Sequence, residues 1–271
     1  DAGILSKLTA PQEKSTDTSE GTHTADGTHV SIYSVDDPCA PLPEYADGIA
    51  VFSCPLLSDE TKQYEYYRAI AERTPDCRAI IRMPVISPKD PDRQIKYDQQ
   101  IRAVFRAASH GEPGILFPMI TSVKEVERIK EICEEVKAEL RSDGIEYSDK
   151  IELGIMIETP AAALISDRLA PMVDFFSVGT NDLTQYTLAC DRQNPDIEEF
   201  IDTHHEAILR LIEMSAENAH KNGAWIGICG ELAADTTLTE RFLRMGIDEL
   251  SVSPSFVLKV RDAVRRTDLS E

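Results

Sequence analysis

Residues 151–182 read IELGIMIETPAAALISDRLAPMVDFFSVGTND. The stretch opens on a run from Ile151 to Ile157 that is apolar or small at nearly every position and closes on Glu158. A short run of this kind, bounded by turn formers such as Thr159-Pro160, marks a strand buried on both faces. A second run, DFFSVGT from Asp174, has the same character and leads straight into Asn181-Asp182. Two such strands separated by an Ala- and Leu-rich segment make a βαβ unit, which requires the strands to be parallel.

The pattern extends in both directions. Toward the N-terminus stand HVSIYSV from His29, GIAVFSC from Gly48, RAIIRMPVI from Arg78 and GILFPMI from Gly114; toward the C-terminus, AWIGICG from Ala224 and ELSVSP from Glu249. With the two above, that makes eight strands, the number that closes a (β/α)8 TIM barrel. An open doubly wound sheet uses the same units, and pattern alone leaves both open, although no Gly-rich fingerprint follows the first strand. Helices fall between the strands. Ser122 to Arg141 opens with a capping box, Ser122 and Glu125, and aligns Val126, Ile129, Ile132, Cys133 and Val136. Glu206 to Asn222 aligns Ile208, Leu211, Ile212, Met214 and Ala219 and stops at Gly223.

Residues 1–27 are rich in Ser, Thr, Asp, Glu and Gly and read as a linker or disordered lead-in, which leaves 28–271 as one barrel domain. A length of 271 residues suits a single barrel, and 42% hydrophobic residues suffice for its core. The net charge of −20 repels nucleic acid and anionic membrane surfaces, so neither is expected as a partner. No stretch has the apolar length of a membrane span or the pattern of a signal peptide, and a cytoplasmic location is expected. The six cysteines show no CxxC spacing and read as reduced, buried thiols.

A barrel builds its site at the C-terminal ends of its strands, so polar residues closing apolar runs are the candidates. Glu158 and Asp182 close neighbouring strands, and two hard oxygen ligands on one rim suit Mg²⁺ or Mn²⁺ better than zinc. Either acid alone reads equally well as a helix cap. Arg82 and Arg192 offer bidentate donors to phosphate or carboxylate, with an ordinary salt bridge as the competing reading. Cys229, before Gly230 and Glu231, is a thiol able to donate a proton or a small buried hydrophobe. His204 and His205 precede a helix and lack a Gly-rich phosphoacceptor context, so they read as exposed helix-start residues.

The strings IELGIMIETPAAALISDRLAPMVDFFSVGTNDLTQYTLACDRQNP (151–195) and WIGICGELAADTTLTERFLRMGIDELSVSPS (225–255) resemble the phosphoenolpyruvate-binding barrel of enzyme I of the sugar phosphotransferase system. GILFPMITSV (114–123) is similar to the same family's middle segment, and the resemblance runs from about Thr24 to Arg266. It implies that Glu158 and Asp182 hold Mg²⁺, that Asn181, Asp182, Arg82 and Arg192 contact the substrate, and that Cys229 protonates enolpyruvate. It further implies a homodimer and transfer of the phosphoryl group to a histidine on a separate swivelling domain, then to a histidine-containing carrier protein, with release of pyruvate. The Gly-Gly-x-x-Ser-His element of that swivelling domain is not in this sequence.

Three departures stand out. Where the family's second strand ends in Arg-Thr-Glu, this chain has VFSCPLL, with Ser53 and Pro55 at the positions of the arginine and glutamate. The Gly-Gly-Asp-Lys loop after the third strand, with its later arginine, is replaced by the shorter VISPKDPDRQIKYDQQ, in which Lys89 or Arg93 is the candidate for partial compensation. Ala234 replaces a glycine. A hydrogen bond to a charged group is worth about 1.5–3 kcal/mol, so two lost arginines would cost about 3–6 kcal/mol. The alternative function is therefore a catalytically impaired paralogue with a sensing or scaffolding role.

Overall fold

The computed structural model describes residues 21–35, 45–52, 57, 59–74, 77–85, 91–191, 194 and 202–270, less the side chains of 91–96. Eight parallel strands close into a barrel in sequence order: β1 (Ser31–Val35), β2 (Gly48–Val51), β3 (Arg78–Arg82), β4 (Pro113–Phe117), β5 (Glu152–Ile157), β6 (Phe175–Gly179), β7 (Trp225–Cys229) and β8 (Glu249–Val252). The ring is closed by β1 on β8, with Ile32 opposite Leu250. All eight strands expected from the sequence are present, and closure decides for the TIM barrel over the open sheet.

Strand alternation explains why the runs are apolar on both faces. One face of β3 to β6 gives Ile81, Phe117, Ile157 and Val178 to the layer under the helices, while the other gives Ile80, Leu116, Met156 and Phe175 to the barrel interior. The outer layer is completed by α1 (Glu60–Arg73), α2 (Pro91–Ala107), α3 (Val123–Ser142), the short α4 (Pro160–Leu164) and α5 (Ser166–Leu169), α6 (Thr180–Thr187), α7 (Glu206–Lys221), α8 (Thr239–Arg244) and α9 (Val257–Arg266). In α3 the Glu125 carboxylate accepts from Ser122 N at 2.8 Å, and Val126, Ile129, Ile132, Cys133 and Val136 are buried. In α7, Leu211 and Met214 are only partly buried, whereas Leu209 and Ala216 lie in the core, so the apolar stripe is rotated slightly from the one expected.

Of the expected lead-in, residues 1–20 lie outside the described residues. Gly21 to Val30 form a hairpin at the base of the barrel, immediately before β1. Val30 N donates to Thr22 O and Ala25 N to Thr267 O, which ties the hairpin to the chain's other end. Cys133 and Cys229 are buried as expected, while Cys77 and Cys190 are partly exposed and Cys39 and Cys54 lie outside the described residues. Among the described residues no helix is long and apolar enough to cross a membrane.

The polar rim at the C-terminal mouth of the barrel

Strand register brings the first group of candidates together. Ile157 of β5 pairs with Val178 of β6, and Gly179 of β6 pairs with Cys229 of β7. Glu158, one residue beyond Ile157, therefore stands level with Gly179 and Cys229 across three adjacent strands. The middle position is glycine for a steric reason. A Cβ at 179 would lie 2.9 Å from Glu158 Cβ and 3.0 Å from its Oε2, so only hydrogen leaves the carboxylate room to lie over β6.

Glu158 is 2% exposed, and burial pushes its carboxyl up to about 7. Met119 N, in the loop after β4, donates to Oε1 and the Arg82 guanidinium attracts the anion, but both are outweighed by burial together with the Asp182 carboxyl hydrogen-bonded beside it. Asp182 differs from expectation in one respect. β6 passes into α6 with no intervening loop, so Asp182 sits in the first turn of that helix rather than at its cap. There its charge complements the helix N-terminus while the side chain faces Glu158.

Arg82 ends β3. Its Nε donates to Phe52 O at 3.1 Å and its guanidinium lies 5.6 Å from the Phe52 ring centre, which fixes the fork beside the acid pair. Asn181 Oδ1 accepts from Glu231 N at 3.2 Å, leaving its NH₂ as the group that can donate to a ligand. A Cβ at position 230 would sit 2.9 Å from that Oδ1, and Gly230 holds φ +95°, so glycine is required there twice over.

Cys229 is 4% exposed, and burial pushes its thiol up to about 12. Ser177 Oγ donates to Sγ at 3.6 Å, while Sγ itself donates to Val178 O at 3.3 Å. The sulfur therefore keeps its proton across the working pH range and is a poor nucleophile. Thr180 Oγ1 donates to Cys229 O at 2.9 Å and fixes the turn that follows.

The structure thus gathers Glu158, Asp182, Arg82, Asn181 and Cys229 on one rim. Arg192 lies outside the described residues, as do Ser53, Pro55 and Lys89, and so does the side chain of Arg93. Sequence reasoning missed Met119, Ser177, Thr180 and Phe52. Met119 holds φ +58°, unusual for a side chain without a short polar group, and nothing in FPMIT announces it. The two helix-start histidines are exposed as expected: His205 Nδ1 accepts from Ala207 N, and His204 Nε2 meets Asp235 Oδ2 at 2.7 Å. Among the described residues no group of three or more His, Cys, Asp or Glu side chains forms a metal cage, so any ion here rests on two carboxylates plus water or ligand oxygens.

Fold and rim together define a (β/α)8 barrel whose acid pair, guanidinium and thiol converge at the mouth where such barrels work. The model of the family described as PEP-utilising enzyme, PEP-binding domain, matches residues 90–269, and the chain belongs to that family. A phosphoenolpyruvate-protein phosphotransferase of Listeria monocytogenes is 48% identical over 172 residues, which is 64% of this chain and 30% of the relative. One from Streptococcus equinus is 38% identical over 237 residues, 78% of this chain and 41% of the relative. The chain thus spans well under half the length of these relatives. Among solved structures, Haloferax volcanii malate synthase in a magnesium/glyoxylate complex superposes with TM-score 0.61 at 14% identity, covering 86% of this chain and 74% of that one. RipC from Yersinia pestis does so with TM-score 0.57 at 11% identity, covering 89% and 97%. These two establish a shared barrel fold.

Proposed function

We propose that this barrel binds phosphoenolpyruvate with Mg²⁺ or Mn²⁺ at its C-terminal mouth and serves as the phosphoryl-donor part of a phosphoenolpyruvate-protein phosphotransferase. The observation that carries the reading is the hydrogen-bonded pair of Glu158 and Asp182 beside Arg82. Two adjoining carboxyls, one buried and pushed up to about 7, are unfavourable as anions unless a proton or a cation intervenes. Their hard oxygens fit Mg²⁺ or Mn²⁺, with the remaining positions left to water and substrate. When bound, such an ion supplies charge neutralisation for the phosphate and carboxylate of the substrate.

The chain's own residues supply the rest. The Arg82 guanidinium and the Asn181 NH₂ bind phosphoryl oxygens and orient them for transfer. Arg192 takes part as a second guanidinium on the strength of the family resemblance. Cys229, which burial keeps in the protonated form, gives its proton to the methylene carbon of enolpyruvate. The phosphoryl group passes to a histidine on a separate swivelling domain and onward to a histidine-containing carrier in sugar uptake, releasing pyruvate. A homodimer and a cytoplasmic location belong to the same reading.

Ser53 and Pro55 favour a second reading, a catalytically impaired paralogue that keeps the barrel for sensing or scaffolding. Calorimetry on the intact chain tests binding: phosphoenolpyruvate with Mg²⁺ should give heat that falls about 100-fold in affinity in Glu158→Gln, and no heat at millimolar ligand would reject the reading. Pyruvate release on adding an isolated phosphoacceptor domain separates the two, because the impaired paralogue binds without turning over.

A further inference from the structure

At the base of the barrel, opposite Glu158, the hairpin before β1 repeats the tripeptide Gly-Thr-His at 21–23 and 27–29. Antiparallel pairing sets His23 directly across from His29, so both side chains leave the ribbon on one face. Their ring centroids are 5.1 Å apart with the planes at 71°, and both residues are exposed.

Two further features point to a ligand rather than to plain ring packing. His23 Nδ1 meets Gly21 O at 2.7 Å. A carbonyl only accepts, so Nδ1 carries the proton and Nε2 keeps its lone pair, the arrangement that orients a metal-binding imidazole. Gly21 also shapes the pair. A Cβ at 21 would lie 2.8 Å from His29 Nε2 and 3.8 Å from His23 Cε1, so glycine lets the Nε2 edge of His29 lie close to the backbone beside His23. An ion 2.0–2.1 Å from each nitrogen at a tetrahedral angle sets the ring centres about 5 Å apart, close to the spacing already present. The hairpin's own carboxylate, Asp26, accepts from Thr24 Oγ1 at 2.6 Å and Thr28 Oγ1 at 3.0 Å and is thereby engaged in holding the turn.

We propose that His23 and His29 form a two-imidazole site for a divalent transition cation of borderline softness, Zn²⁺ or Cu²⁺, completed by water. Imidazole selects these ions over Mg²⁺, so the site is chemically separate from the oxygen-lined rim and independent of the function proposed there. Cu²⁺ should bind more tightly than Zn²⁺.

The test uses the intact chain, stripped with chelator and titrated with Zn²⁺ in saturating Mg²⁺, read by calorimetry and by the histidine ring protons in NMR. His23 and His29 ring signals should move together while those of His204 and His220 stay fixed. His23→Gln and His29→Gln should each weaken the binding step about tenfold or more, and the double variant should remove it. Gly21→Ala, which keeps both imidazoles but drives a methyl against His29 Nε2, should weaken it as well. Ring signals of His23 and His29 that do not respond to Zn²⁺ in the unsubstituted chain would overturn the proposal even if a substitution unravels the hairpin. So would an unaltered Zn²⁺ affinity in the double variant.

Discussion

At the base of the barrel Arg78 and Glu152 face one another at 3.0 Å; at its mouth Glu158 faces Asp182. The base completes its pair with further partners. Trp225 Nε1 donates to the second Glu152 oxygen at 3.2 Å, Arg78 lies over the Trp225 ring, and that ring stacks on Phe175 at 4.4 Å. The mouth instead sets two carboxyls side by side, with Met119 N–H and the Arg82 guanidinium only partly offsetting the cost of burying Glu158. One end spends its polar groups on closure, and the other holds a carboxyl pair that, on the function proposed, a cation completes. Burial alone does not make the difference. Glu249 inside the barrel is pushed up to about 8 by burial, yet its Oε1 accepts from Ser251 Oγ at 2.6 Å and the Arg78 guanidinium attracts its anion.

The sharpest way to break this contrast is at Cys229. Cys229→Ala removes the proton held at the mouth without touching the acid pair. With a phosphoacceptor domain supplied, pyruvate release should fall about 10²–10⁴-fold while phosphoenolpyruvate affinity stays within a factor of a few, as read by a coupled assay beside calorimetry. Equal turnover would show that proton delivery comes from elsewhere. A smaller effect is expected at the glycine between the two functional strands. Gly179→Ala drives a methyl against Glu158 Cβ and Oε2, and should weaken Mg²⁺-dependent phosphoenolpyruvate binding about tenfold, roughly 1.4 kcal/mol. Unchanged affinity would mean that the carboxylate has another place to go.

The base should answer differently. Arg78→Met breaks a bridge whose two partners are each 34% exposed, so the loss belongs nearer the surface-pair range plus one cation–π contact, about 1–2 kcal/mol. Chemical denaturation should register that loss while ligand affinity at the mouth stays constant. A binding defect in this variant would show the two ends to be coupled.

The strands were legible because a barrel buried on both faces needs continuous apolar runs, and those runs can be counted. Glu158, Arg82 and Cys229 were legible because they interrupt or end such runs. Asp182 was placed on the right rim but in the wrong element, since GTND gives no sign that the helix begins without a loop. Met119 was invisible: its contribution is a backbone N–H at positive φ, and no side chain encodes it. The tie between the hairpin and Thr267 was hidden for a related reason, because a polar lead-in with main-chain partners far along the chain reads locally as unstructured.

On the function proposed, the mouth pairs its acids for a cation. Because Glu158 lies above its ordinary value of 4.5 when folded, the folded chain binds more protons than the unfolded one between about 4.5 and 7. The contribution of Glu158 to stability should therefore fall across that window as pH rises and level off above it, a loss of about 3 kcal/mol, while Glu249 extends the decline to about pH 8. Carbon-13 NMR titration of the glutamate carboxyls, with and without Mg²⁺ and phosphoenolpyruvate, reads the acid directly. Glu158 should titrate near 7 in the free chain and well below that in the complex, while Glu249 stays near 8 in both. A Glu158 titration that ignores Mg²⁺ and substrate, or one that moves in step with Glu249, would contradict the account.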